Sequence, residues 1–578
     1  MSDFIFSSQT ANAEGLGQPL AAIPGGAGEV VKRAGPWGAL AVRQASYAQG
    51  RVAETDRYLA ILIGDPVAQF TDISPQAAEG GLAGSVLHHW LAGGLDWSEA
   101  LDGPFAALII DKQDQVLHCV TDLMLAIPVY RAQGAGGCVL GTHVDVVARV
   151  AGRAEAADEA SLADFILHDV VTYPFTAYQG VSQCAPATVH TFHRSASGHR
   201  HALQSQQSYW CPIEACPYAD SKEAGLALRD AVAGYVDQVS GRAAGRVAQF
   251  LSAGEDSRVI AGLLPGSGHS GFVFLDAMNR EGQIAERVAD AYGVRFRPGF
   301  RGALHYLQQL PRAAELLGAG QQGVHAHALG FEDQFRLADY GAVFGGYLAD
   351  ALVKGLFIGR DRAPVGAIEH PFLPTELLSE VVRRRREHLR RVREFRPDSA
   401  REWFELWPLT MRRAFGSWQC NRRLFNSHEP FMASSAIKVA AAVPQAWKVR
   451  RELYLAAFRP ALHPSRRIRL PDGRLPTAPY WLNRPLQAVT QRGRALQGRL
   501  FGPAQHHGPW ADWPSVMRSG MWQRWVAEAG AARHGLSVLD EPLRLGALQE
   551  QRLGIMPRLN LVQACQQHGG QALPIELD

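Results

Sequence analysis

Between residues 36 and 150 the apolar positions come in short runs. "YLAILIG" (58–64), "PFAALIIDKQDQVLHCVTD" (104–122) and "GGCVLGTH" (136–143) are rich in β-branched and aliphatic residues and are separated by Gly, Asp and Gln turns, the pattern of strands. The polar "DKQDQ" between two apolar runs predicts a hairpin. An Ala- and Leu-rich helix at 81–93 and another near 159–168 would cover the sheets, so this part reads as a layered α+β unit.

The rhythm changes near residue 205. After the polar connector "QSQQSYWCPIEACPYAD", Ser221 is predicted to cap a helix whose apolar residues fall at Leu228, Val232, Tyr235, Val236 and Val239. Then come "RVAQF", a helix, "GFVFLDAMN", the helical "EGQIAERVADAYG" and "VRFRP". Strands alternating with helices in this way predict an α/β doubly wound parallel sheet, with ligands at the carboxyl ends of its strands. From about residue 375 the chain becomes helical and arginine-rich. The run "RRRREHLRRVREFRP" (383–397) reads as a solvated helix face, and Trp510, Trp513, Trp522 and Trp525 mark a helical packing extension. Three units are expected, at 1–205, 206–500 and 501–578.

With 578 residues, several domains are expected; 47% hydrophobic and 20% charged residues describe ordinary globular material. A formal charge of +3 lacks the basic excess of a nucleic-acid binder. No run reaches the roughly 18 apolar residues of a membrane span. "MSDFIFSSQTANAEG" lacks the basic and apolar regions of a signal peptide. The only close cysteine pair, Cys211 and Cys216, lacks zinc-site spacing, so the seven cysteines read as unpaired thiols of a cytoplasmic protein.

The sharpest chemical signal is "FLSAGEDSRVIAGLLP" (250–265), a strand entering a small, polar turn that opens a helix. Such a turn leaves backbone N–H groups at the positive end of a helix dipole, which is an anion site. Gly254 permits close approach, and Ser252 and Ser257 can donate hydroxyls. Asp256 would repel phosphates unless Mg²⁺ lies between them. No Lys stands where a Walker loop requires one. A second turn, "YGAVFGGYLADALVKG" (340–355), brings Gly346 and a second carboxylate, Asp350, and the two turns could share a Mg²⁺·triphosphate.

Together these stretches resemble the asparagine synthetase superfamily over roughly residues 60–470. "LSAGEDSRVI" is similar to the family's pyrophosphate loop, with Ala253 for its first Gly, and "GGYLAD" to its second turn, with Leu348 for a Gly. "LDGPFAALIID…TDLMLAIPVYRA…GTHVDVV" looks like its class II glutaminase-type domain, and "EPFMASSAIKVAAAVPQAWKVRRELYLAAFRPAL" (429–462) like the helical segment that closes the synthetase site. The resemblance implies adenylation of a carboxylate by ATP, then amide formation. On it, Leu251, Ser252, Gly254, Asp256, Ser257 and Gly346 hold ATP, and Asp256 and Asp350 hold Mg²⁺. Tyr347, where β-lactam synthetases also have Tyr, acts on the attacking amine with Glu429 as its partner. Arg467, from "HPSRRIRLPDGRLP", is the candidate for the charge the family places on a Lys after the closing helix.

The departures matter equally. Position 2 is Ser where glutamine-dependent members carry a Cys nucleophile, and "DLMLAIP" lacks the Arg of the usual run, so a degenerate domain without glutaminase activity is expected. The implied enzyme is an ATP-dependent, AMP-forming ligase joining a small-molecule or peptide carboxylate to an amine, either the substrate's own or ammonia. Two alternatives stand beside it: an amidotransferase of sugar acids in surface-polysaccharide synthesis, and a non-catalytic synthetase kept as a scaffold. Homodimer formation stays open.

Overall fold

A computed structural model describes residues 2–568 except 11, 26–27, 46, 48–50, 71–79, 135–136, 195–200, 244–245, 267, 360–368, 502–510 and 550–552. Trp510 lies outside the described residues.

The first 208 residues build two six-stranded sheets. One orders its strands Val181–Gln183, Tyr130–Gly134, Gly137–Gly141, Asp3–Ser7, Gly38–Arg43 and Val30–Gly35; the other runs His201–Ser208, Thr188–Arg194, Val116–Thr121, Phe105–Asp111, Tyr58–Gly64 and Val52–Glu54. Every adjacent pair in both is antiparallel. Their alternation is that of strands buried on both faces. Phe4 and Phe6 join Leu40, Val42, Ile61, Ile63, Leu108 and Ile110 in the core between the sheets, while Ile5, Ala39 and Ala41 face a second core with the helices Ala13–Ala21 and Val144–Val150. Helix Gly81–Leu91 covers the other sheet through Val86 and Leu87.

The second part is centred on a five-stranded, all-parallel sheet, Arg295–Phe300, Ser270–Leu275, Val247–Phe250, Ala342–Phe344 and Ser427–His428 in spatial order. Val247–Phe250 is central, so the turn after it opens at the middle of the sheet's carboxyl edge. Helix Ser221–Arg242 buries the predicted Leu228, Val232, Tyr235, Val236 and Val239. Its cap is Asp220, not Ser221, because the carboxylate accepts two N–H bonds, from Lys222 and Glu223 at 2.8 and 2.9 Å.

The arginine run departs from the expected solvated face. Arg383, Arg390 and Arg391 pair with Glu380 and Glu387 on the surface of helix Thr375–Arg393. Arg385 instead is buried against Asp164 at 3.0 Å, and Arg384 reaches Asp158 at 3.1 Å, so the run also docks this helix on Glu159–His168. At the C-terminal end Trp513, Trp522 and Trp525 are buried, and Asn560 of helix Ile555–His568 donates to Phe165 O at 3.0 Å and Asp169 at 2.7 Å. The C-terminal segment therefore packs back onto the first part.

The two parts are also joined at the start of the first strand. Asp3 is buried and accepts from Arg422 and Arg423 at 3.0 Å, while Arg422 reaches Ser2 O and Arg423 reaches Thr142 O. Burial alone would raise the Asp3 carboxyl, but the two guanidiniums hold it well below the carboxylate range. Asp3→Asn should therefore destabilise the fold by about 3–5 kcal/mol, because it strands two buried cations. The wild-type protein should lose the same contribution as pH falls below the unfolded-state value of 3.8. Urea midpoints measured for both proteins between pH 2 and 7 check this; superimposable curves would contradict it.

Candidate active site

Strand Val247–Phe250 stops at the loop 251–254, and helix Glu255–Leu263 begins with Gly254 at its N-cap in extended conformation and no side-chain cap. The sequence reading expects free N–H groups here, but three are engaged within the chain. Ser252 N donates to Ser257 Oγ at 3.2 Å, Gly254 N to Ser252 Oγ at 3.1 Å, and Ala253 N to Glu281 at 2.8 Å. The side chains that could contact an anion thus also set the loop. Arg258, fully buried, ties Ala253 O to Ile468 O at 2.9 and 2.7 Å, which fixes the 463–476 segment beside the loop.

The second turn follows Ala342–Phe344, and its glycines let it approach closely. A Cβ on Gly346 would lie 2.8 Å from Asp256 Cβ, and one on Gly345 would collide with both Glu429 carboxylate oxygens. The two turns are therefore in contact. Leu348 adopts φ +73°, the left-handed region where the resembled family has Gly, and it is held there by complete burial in the core.

Three carboxylates converge at this contact, each with cations against it. Lys354 Nζ lies 2.7 Å from Asp256 Oδ2 and 3.5 Å from Glu255 Oε1, and Tyr454 donates to Asp256 Oδ1 at 3.1 Å. Glu255 is also paired with Arg451 and lies 3.7 Å from Arg474. Asp350 accepts from Arg412 at 3.2 Å. Burial disfavours charge on Lys354, but Asp256 and Glu255 outweigh it and hold the ammonium above the ordinary lysine range. The expected role of Asp256 and Asp350 as Mg²⁺ ligands does not fit this arrangement, because both Asp256 oxygens already accept hydrogen bonds. Among the described residues no group of three His, Cys, Asp or Glu side chains could hold a metal ion.

Arg467 also departs from expectation. It is exposed, and among the described residues the cations paired with Glu255 beside the loop are Lys354, Arg451 and Arg474. Lys448 is buried in an ion pair with Glu402 at 2.8 Å. The sequence carried a signal for Lys354, four residues after Asp350 in a turn that returns it to the site. Arg451 and Arg474 reach Glu255 only through folding of segments distant from it.

A cavity of about 290 Å³ opens beside Ser252 at the sheet's carboxyl edge, with Phe250, Leu251, Phe272 and Phe274 on one side and Gly345, Gly346, Tyr347, Trp418, Asn421 and Glu429 on the other. Trp418 Nε1 and Asn421 Oδ1 of the lining residues are buried without hydrogen-bond partners, while the Tyr347 hydroxyl is held by Arg412. The expected Tyr347–Glu429 pair forms through the backbone: Glu429 accepts from Tyr347 N at 2.8 Å, and the phenol ring lies under Arg412, whose guanidinium carbon is 4.5 Å from the ring centroid. Burial raises the Tyr347 hydroxyl far above its ordinary range, against the lowering effect of Arg412. Burial also raises Glu429, to about 8, against the lowering effect of the Tyr347 N–H and Arg412.

In the first part, all seven cysteines of the chain are free thiols and none lies at the head of the first strand, where Ser2 and Asp3 are buried against Arg422. Burial pushes Cys138, Cys420 and Cys565 to about 12, away from thiolate chemistry.

Residues 83–210 match the family model of a glutamine amidotransferase domain, less than a quarter of the chain. This part is of amidotransferase type, which suggests an enzyme of amide nitrogen transfer. A solved structure described as the allosteric regulatory enzyme of purine biosynthesis is similar at 9% identity and a TM-score of 0.23, over 52% of this chain and 65% of that one. The chain thus spans just under two thirds of that enzyme's length. No curated protein matches the chain.

Glu429 makes a prediction of its own. Its folded pKa lies above its unfolded value of 4.5, so the wild-type protein should lose stability as pH rises from 4.5 to about 8 and level off above that. Glu429→Gln cannot titrate, and its urea midpoint should stay flatter over the same window. Equal slopes for the two proteins would mean that Glu429 ionises normally.

Proposed function

We propose that the chain is an ATP-dependent, amide-forming ligase of asparagine-synthetase type without glutaminase activity, organised as a glutaminase-like part (1–205), an ATP-pyrophosphatase-like part (206–500) and a helical extension (501–578). The observation that supports this reading is the cavity beside Ser252, where Trp418 Nε1 and Asn421 Oδ1 of the lining residues have no partners while the loop and Glu429 border it. Unpaired buried polar atoms cost stability and are kept where a ligand satisfies them.

In the proposed reaction a carboxylate oxygen attacks the α-phosphorus of ATP, the α–β bridging P–O bond breaks, and pyrophosphate leaves. The amine then attacks the acyl carbon, AMP departs with the C–O bond electrons, and one amine proton is taken up. Glu429, raised to about 8, is the group beside the cavity suited to take that proton near neutrality. Lys354, Arg451 and Arg474 supply the positive charge beside the loop where pyrophosphate would form. Nitrogen would come from the substrate or free ammonia.

A scaffold reading draws on the engaged loop and the neutralised Asp256. The two are separated by incubating the protein with ATP and an extract of its source cells and following pyrophosphate and AMP. A ligase should release both, and Asp256→Asn should reduce release by about 100-fold or more, the scale of losing a group that orients the leaving pyrophosphate. Equal release by the variant would remove the loop from catalysis, and no nucleotide turnover with no ATP binding would favour the scaffold. Glutamine alone should yield no glutamate; stoichiometric glutamate would refute the absence of glutaminase activity.

A further inference from the structure

We propose that Lys354 stands in for a divalent cation where the two turns meet, so that the 251–257 loop binds a polyphosphate as the metal-free anion. This rests on the ligase reading of the loop and adds how its charge is handled.

The argument starts from the carboxylates. Asp256, the residue best placed to bridge a metal to phosphate, has Oδ2 on Lys354 at 2.7 Å and Oδ1 on Tyr454 at 3.1 Å. A metal bound there would have to break the Lys354 contact and leave a buried ammonium beside a dication. Glu255 and Asp350 are matched by Arg451 and Arg412, and Asp472 by Arg474 at 2.6 Å. Each carboxylate of the cluster therefore already has a cation against it without a metal.

The geometry holds Lys354 in place. It follows the turn Ala349–Val353, its N–H donates to Ala349 O at 3.2 Å, and Gly355 at φ +68° redirects the chain behind it. Its ammonium also lies 5.4 Å from the Tyr454 ring centroid, a cation–π contact. Beside it, Arg451 is 5% exposed and its Nε and Nη1 are buried without acceptors. Two unpaired guanidinium donors next to a fixed ammonium await anionic oxygens, and a phosphate supplies them without a metal bridge.

The test is calorimetric titration of the full chain with inorganic pyrophosphate and with ATP, in EDTA and in excess Mg²⁺. The wild-type protein should bind pyrophosphate in EDTA within about threefold of its affinity in Mg²⁺. Lys354→Met should weaken binding in EDTA by about tenfold or more, and Lys354→Arg should retain it. Circular dichroism checks that both variants fold, and the wild-type comparison stands if either does not. Wild-type binding that requires Mg²⁺ would overturn this inference and leave the ligase reading intact. Unchanged binding by Lys354→Met in EDTA would also overturn it. No binding of pyrophosphate or ATP under either condition would overturn this inference and the ligase reading together.

Discussion

Glu255, Asp256 and Asp350 converge where two parallel strands end, and the candidate site depends on the cations that keep them together. Buried carboxylates this close repel one another, and burial penalises each charge separately. Lys354, Arg451, Arg474 and Arg412 answer both costs by placing opposite charge within hydrogen-bonding or ion-pair reach. The segments that carry these residues, from the second turn to the loop at 470–476, are thereby drawn onto the loop at 251–254. The site's shape follows from charge neutralisation as much as from the sheet beneath it.

Backbone constraints act at the same place. Gly345 and Gly346 leave room for Glu429 and Asp256, and Leu348 keeps a left-handed conformation because its side chain is fully buried. Packing in the core thus stabilises a backbone that a Leu otherwise avoids. The result is a cavity bounded on one side by Phe250, Phe272 and Phe274 and on the other by polar atoms with nothing to bind. An apolar wall with a few convergent polar groups is the general form of a small-molecule site.

The first part of the chain serves the architecture through Asp3. The first strand of the chain begins with a carboxylate, Asp3, buried between Arg422 and Arg423 of the helix that carries Trp418 and Asn421 to the cavity. An interaction at the start of the chain therefore positions residues of a cavity more than 400 positions later, and the C-terminal helix adds a second link through Asn560. The two parts share cores, and the site lies within reach of both.

Much of the fold was legible because hydrophobic periodicity is a local property. Alternation in "YLAILIG" and "FAALIID", the helical spacing from Leu228 to Val239 and the two strand-to-turn stretches each declare an element without knowledge of what packs on it. The sequence suggested that the two turns could share a ligand, and the structure brings them into contact through Gly345 and Gly346. The sequence by itself could not decide which charge meets which. Arg385 turned inward from a run that reads as surface, Glu429 met the backbone of Tyr347 and not its hydroxyl, and Arg451 and Arg474, each more than 190 positions beyond it, reached Glu255 while Arg467 stayed exposed. Those pairings come from side chains meeting across elements far apart in the chain. Their energies depend on burial and distance, which exist only once the tertiary structure has formed.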